Sequence, residues 1–252
     1  MTLSDFFVTK IRTIRDTINN KVSSFLHPIN IPDVPFTGTP LDTFPSVTPA
    51  EVLKLINKSS NKSSSMDFIF TSLIKSCSMV FSEIISNFVN LSISQGAFPL
   101  KFKLAQVTPL LKKPGFDKNT FSNYRPISNL NNMSKLLERL ILSRIQYHTT
   151  SFCNFNPFQS AYQRYYSIES ALLLALDNIY HAIVKGSSMV LISLDLSTSF
   201  NTIDHTILLS RLQTSFGISG LSLAWFHSYL EGAQSICPYW LFTTPDQLFM
   251  RL

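Results

Sequence analysis

"LISLDLSTSFNTIDH", residues 191–205, decides how this chain is read. An apolar run ends in one acid, Asp195; an aromatic follows at Phe200, and a second acid, Asp204, precedes a new helical pattern. Residues 189–194 are rich in β-formers, so the run predicts a buried strand that ends at Asp195. An acid in that place has two readings. It is either a carboxylate aimed from a strand end at bound metal or an ordinary strand-terminating aspartate. Asp204 is expected to cap a helix over about 205–215, which Gly217 ends. A further helix is expected from Ser219 or Gly220 to about Glu231, with 225–229 as packing residues.

Working upstream, residues 167–185 place Ile168, Ala171, Leu172, Ala175, Ile179, Ala182 and Ile183 on one helical face. Ser134 is expected to cap a helix from Lys135 to about His148, with Leu136, Leu137, Leu140, Ile141 and Ile145 on one side. Residues 122–133 read as extended, because Pro126 pushes Arg125 out of helical geometry. Residues 106–111 predict a short strand leading into a Lys-Lys-Pro-Gly turn. Residues 66–95 read as one long or two short buried helices ending before Gly96, and 57–65 as a polar loop. Thr48-Pro-Ala-Glu51 is a capping box with proline in the first turn, so a helix should run to about Lys58. Residues 27–47 hold five of the 13 prolines and read as a linker. Residues 4–25 repeat Phe7, Ile11, Ile14, Ile18, Val22 and Phe25 at helical spacing, with Ser4 or Asp5 as a cap.

With 252 residues, 45% apolar and 14% charged, the chain can bury a sizeable core and is not of disordered composition. The 7 glycines favour helices over many tight turns. The net charge of +6 is concentrated: Lys101, Lys103, Lys112, Lys113, Lys118, Arg125, Lys135, Arg139 and Arg144 stand against Asp117 and Glu138. A block of this kind suggests a polyanionic partner, and a solvated basic face is the alternative. Cys77, Cys153 and Cys237 are far apart and form no zinc or disulfide pattern. The start carries no signal-peptide pattern, and residues 68–94 lack the roughly 18 unbroken apolar residues of a membrane span. No membrane partner is expected.

Synthesis of a nucleic-acid chain commonly uses two divalent metals about 4 Å apart, held by carboxylates. Against that chemistry, "NYRPISNLNNMSKLLERLI" and "VLISLDLSTSFNTIDHTILLSRL" together resemble the reverse transcriptases of LINE-type, non-LTR retrotransposons. "VTPLLKKPG", "QSAYQRYYSIESALL" and "FGISGLSLAWFHSYLEG" do so too, in the same order and spacing, and the likeness runs from about residue 44 to about 232. The resemblance implies an α+β, mostly helical chain: incomplete right-hand polymerase fingers and palm with N-terminal helices. Its expected parts are an amphipathic helix (1–26), a Pro-rich linker (27–47), a helical pre-fingers region (48–97), a fingers-like region (98–188) and a partial palm (189–252). It implies that Asp195 is a catalytic metal ligand and that the Leu196 carbonyl lies beside the second metal. Phe200 would exclude a ribose 2′-hydroxyl, and Lys113 and Arg125 would hold the incoming triphosphate. A planar Arg fork suits phosphate oxygens on its own chemistry. Lys101, Lys103, Lys112 and Gln159 are the expected nucleic-acid contacts. RNA template, DNA primer and dNTP are the implied partners, Mg2+ the implied cofactor, and cytoplasm or nucleus the implied location. Tyr162 is either a template-side or a core residue. Asp204 and His205 are expected to be a cap and a polar surface residue.

The chain also departs from the family pattern. It contains no Asp-Asp pair and no Gly-x-Pro-Gln-Gly segment, and it ends about where the latter is expected. Asn201 stands where an acid is usual and Gln163 where an Arg is usual; glycine is usual near Ala161 and Tyr165. The expectation is a polymerase fragment, truncated before the Tyr-x-Asp-Asp motif and catalytically incomplete alone. The alternatives are a non-catalytic nucleic-acid-binding remnant and the product of a decayed element.

Overall fold

The core is assembled where several helices bring their buried faces together. The computed structural model describes residues 3–24, 34–152, 154–196, 202–232 and 234–236. In chain order the helices are α1 (Leu3–Ser24), α2 (Pro49–Lys58), α3 (Thr71–Ser76), α4 (Ser78–Gln95), α5 (Asn132–Thr150), α6 (Ile168–Val184), α7 (His205–Thr214) and α8 (Gly220–Leu230). Among the described residues three strands, β1 (Leu104–Leu111), β2 (Tyr124–Leu130) and β3 (Gln234–Ile236), form one sheet in the order β2-β1-β3. The chain is thus α+β and mostly helical, as the sequence predicts.

Local signals set most helix ends. The Thr48 hydroxyl accepts from the Glu51 N–H while the Glu51 carboxylate accepts from the Thr48 N–H at 2.9 Å, so the capping box forms as expected. Residues 66–95 make two helices, α3 and α4, and Gly96 closes α4 in the left-handed region at φ 57°. Asp204 caps α7 by accepting from the Thr206 and Ile207 N–H groups. The cap of α5 differs from expectation. Asn131, not Ser134, ends the extended backbone, and its side chain accepts from the Ser134 N–H at 2.8 Å. Ser134 lies fully buried within the first turn and donates its hydroxyl to the Phe102 carbonyl.

Helices α2, α4, α5 and α8 then share one core. Val52 and Ile56 of α2, Ile85, Val89 and Ile93 of α4, and Leu137, Leu140 and Ile141 of α5 meet Phe44, Phe98 and Trp225 of α8. Each such aliphatic side chain contributes about 1.5–3 kcal/mol by leaving water. Trp225 is 2% exposed, stacks on Tyr229, meets Phe44 and Phe98 edge to face, and donates its indole N–H to Ser92 Oγ at 3.0 Å.

Polar links lace the Pro-rich segment onto this core. Asn90 accepts from the Val47 N–H and donates to the Val47 carbonyl. The Arg144 guanidinium of α5 forks onto both Glu51 oxygens at 2.7 and 2.8 Å and also donates to the Pro45 and Ser46 carbonyls. This fork is the largest cause holding the Glu51 carboxyl down at about 2. Leu41 pairs in parallel with Ile218, and the Asp42 carboxylate accepts from the Ser219 hydroxyl. Gly217 is required between them. Its φ is 63°, and an added Cβ would lie 2.3 Å from the Phe36 ring.

A further expectation fails in the fold. Residues 189–194 are not a strand: they have no regular structure and stand exposed, with Val190 at 82% and Leu194 at 87%. A run with β composition needs a neighbouring strand for its N–H and C=O groups, and among the described residues none pairs with it. Helix α6 forms as expected, but none of its residues is buried. Of α1, Phe7 and Ile11 are buried and Ile18 is exposed; Val22 and Phe25 fall among side chains outside the description.

Candidate nucleic-acid interface

The hairpin of β1 and β2 brings the distant cations together. The strands pair antiparallel from Ala105↔Leu130 to Leu111↔Tyr124, with Pro109 opposite Pro126. Facing pairs share a side of the sheet, so Leu110 with Arg125 and Thr108 with Ile127 lie on one face. Ala105, Val107 and Leu130 lie on the other face and are buried. Arg125 is therefore held on the open side of a ribbon whose reverse is anchored in the core. Among the described residues its guanidinium has no hydrogen-bond or ion-pair partner.

The connection, residues 112–123, is internally braced. The Lys112 N–H donates to the Asn123 carbonyl, and its ammonium donates to the Ser122 carbonyl at 2.7 Å. Asp117 accepts from the Thr120 hydroxyl and the Asn119 N–H, and these two bonds, in that order, lower its pKa. The Asp117 carbonyl accepts from the Asn123 amide, and Tyr124 donates its phenol to the Lys118 carbonyl. Lys113 sits in this braced turn with its ammonium 5.9 Å from the Phe116 ring. Lys113 and Arg125 thus project from one rigid unit, whereas Lys112 is spent on closing it.

The other expected contacts lie elsewhere. Lys101 is exposed on a single 3-10 turn, residues 100–102. Lys103 donates to the Glu231 carbonyl at 2.8 Å, where it satisfies the C-terminal end of α8; burial lowers its pKa and Glu231 partly offsets that. Gln159 is exposed in the loop before α6, donates to the Ala161 carbonyl and accepts from the Gln163 amide. In the same loop Tyr162 and Tyr165 take φ 61° and 69°. Tyr162 is 68% exposed, so it is not a core residue. The second of these is a position near which glycine is usual by resemblance, and the backbone adopts the conformation glycine suits best.

Asp195 and Leu196 stand in the exposed, irregular segment described above, and Phe200 lies outside the described residues. Hard cations such as magnesium take about six oxygen ligands and are held by convergent carboxylates. Among the described residues no three His, Cys, Asp or Glu side chains converge for a metal. One exposed carboxylate does not by itself fit a two-metal centre, and Asp195 belongs to no such group among the described residues. His205 is half-buried rather than a surface residue. Burial, then Arg15, lowers its pKa, against the pull of Asp204. No helix among the described residues is long and apolar enough to cross a membrane.

One cationic cluster escaped the reading by single motifs. Lys62, Lys135 and Arg139 line a cavity between the 59–64 loop and α5. The i, i+4 spacing of Lys135 and Arg139 was the available signal, but Lys62 joins them only through the fold.

The chain is 27% identical over 119 residues to a probable RNA-directed DNA polymerase from transposon BS of Drosophila melanogaster. That match covers 47% of this chain and 13% of the relative, so this chain spans a small part of that protein's length. Residues 111–246, more than half the chain, match the family model of reverse transcriptase (RNA-dependent DNA polymerase), and the chain belongs to this family.

Proposed function

We propose that the chain is a fingers and partial-palm portion of a LINE-type, non-LTR retrotransposon RNA-directed DNA polymerase, and that in isolation it binds nucleic acid without catalysing synthesis. The observation that carries this reading is the hairpin. It holds two exposed cations, Lys113 and Arg125, on one braced unit, neither with a hydrogen-bond or ion-pair partner among the described residues. Such cations neutralise phosphates of template, primer or dNTP. Asp195 is the catalytic carboxylate by resemblance, but among the described residues it stands exposed and belongs to no group of three ligating side chains that could hold two metals.

Fluorescence anisotropy with a single-stranded RNA tests the reading. Affinity should fall steeply with salt as counterions are released. The Lys113→Ala, Arg125→Ala double variant should lower the log–log slope by about 1.4, since each phosphate contact on a single strand contributes about 0.7. Salt-independent binding, or an unchanged slope in the double variant, would refute it. Primer extension on an RNA template with magnesium should give no product; template-dependent product lost in Asp195→Asn would overturn the non-catalytic part.

A further inference from the structure

We propose a second anion site, separate from the hairpin, that takes a free nucleoside monophosphate. A cavity of about 420 Å³ opens between the end of α2, the 59–64 loop, the start of α3 and the first turns of α5. That volume is within the range of small-molecule sites, roughly 300–1,000 Å³, and exceeds what a bare phosphate fills. Its charged lining is unbalanced: Lys62, Lys135 and Arg139 face a single acid, Asp67. Asp67 is already engaged, because its two oxygens accept from the Ser64 and Asn132 N–H groups, each at 2.6 Å. Among the described residues the side-chain charges of Lys62, Lys135 and Arg139 have no hydrogen-bond or ion-pair partner.

The three cations come from two elements and converge for different reasons. Lys135 and Arg139 are one turn apart on α5, which places them on the same face. Lys62 is brought over them by the loop. The Thr71 hydroxyl donates to the Lys62 carbonyl and the Thr71 N–H donates to the Ser63 hydroxyl. Ile56, Ile74 and Leu136, each no more than 5% exposed, supply the apolar part of a lining that is otherwise mostly hydroxyl and amide side chains. A cationic rim beside an aliphatic patch suits a ligand with a phosphate at one end and a flat, weakly polar group at the other. Asn129 also lines the cavity, four residues along β2 from Arg125, or about 14 Å at the rise of a strand. The two cationic sites are therefore distinct.

Isothermal titration of the full chain with AMP, adenosine and inorganic phosphate tests this. AMP should bind saturably at one site, at least about tenfold more tightly than either adenosine or phosphate, because charge-assisted bonds and apolar contact are then combined. Lys135→Ala with Arg139→Ala should weaken AMP about tenfold or more, and so should Lys62→Ala, which lies in an exposed loop and spares α5. Lys54→Ala, at an exposed cation of α2 that does not line the cavity, should leave AMP affinity within about twofold. The proposal is overturned by the absence of saturable AMP binding, by equal affinity for adenosine, or by equal loss in Lys54→Ala. It is also overturned if an unphosphorylated-end RNA oligonucleotide binds through Lys135 and Arg139 while AMP does not, for the occupant would then be a strand.

Discussion

Replacing Arg144 by Met should cost about 2 kcal/mol at neutral pH and should also remove the part of the acid sensitivity that its bonds to Glu51 create. The guanidinium makes two parallel bonds to Glu51 at 2.7 and 2.8 Å, with Arg144 13% and Glu51 42% exposed. Glu51 titrates at about 2 in the folded chain against an ordinary value of 4.5. At 1.36 kcal/mol per pH unit that gap corresponds to about 3.4 kcal/mol. Exposure of Glu51 screens the pair, which leaves about 1–2 kcal/mol. Loss of the bonds to the Pro45 and Ser46 carbonyls adds the remainder. The sign follows from the depressed folded value. The contribution is complete above pH 4.5 and is lost as pH falls from there toward 2. Urea unfolding followed by tryptophan fluorescence at pH 7, 4.5 and 2.5 measures it. Wild type should lose about 1–2 kcal/mol relative to Arg144→Met across that range. Glu51→Gln, which removes the titrating group, should flatten the profile in the same way. An Arg144→Met chain with an undiminished acid loss, or one destabilised by less than about 0.5 kcal/mol, would refute the reasoning.

Other perturbations separate core, turn and surface. Leu137→Ala should destabilise by about 2–5 kcal/mol, read by urea unfolding, because Leu137 is fully buried between α5 and the core. Gly217→Ala should cost at least about 2 kcal/mol, since φ 63° is unfavourable for Ala and the new Cβ meets the Phe36 ring; Phe36→Ala in the same chain should recover part of that loss. Asp195→Asn should shift stability by no more than about 0.5 kcal/mol, because the side chain is exposed; a larger loss would mean Asp195 is structurally engaged.

What was legible in the sequence was local. The Thr48–Glu51 box, the Asp204 cap and the Gly96 stop act within one turn, so residue type and spacing suffice to read them. The 189–194 run shows the opposite limit. Its composition states a preference for pleated, half-buried surroundings but cannot state whether a neighbouring strand exists. Asn131 and Ser134 are both good caps three residues apart. The choice fell to Asn131 because β2 ends at Leu130 and leaves the next residue extended at ψ 163°. In the interface, the clustering of Lys and Arg was visible, but their fates were not. Lys112 and Lys103 are consumed by nearby carbonyls, and only pairing of β1 with β2 brings Lys113 and Arg125 onto one unit. Long-range polar links such as Arg144 with Glu51 leave no trace in spacing, since 93 residues separate the partners.

The position of Trp225 in the core has a consequence for synthesis of the chain. Its indole is the contact that Phe44 and Phe98 share, yet it is translated 181 positions after Phe44. At roughly 5–20 residues per second, about ten to forty seconds pass before the ribosome delivers it. During that interval α2, α4 and α5 can form and meet, but the aromatic surface awaiting Trp225 stays wet. The nascent chain is therefore a natural client for chaperones that shelter exposed aromatic surface, and release from the ribosome before Trp225 would leave a polypeptide committed to a core it cannot close.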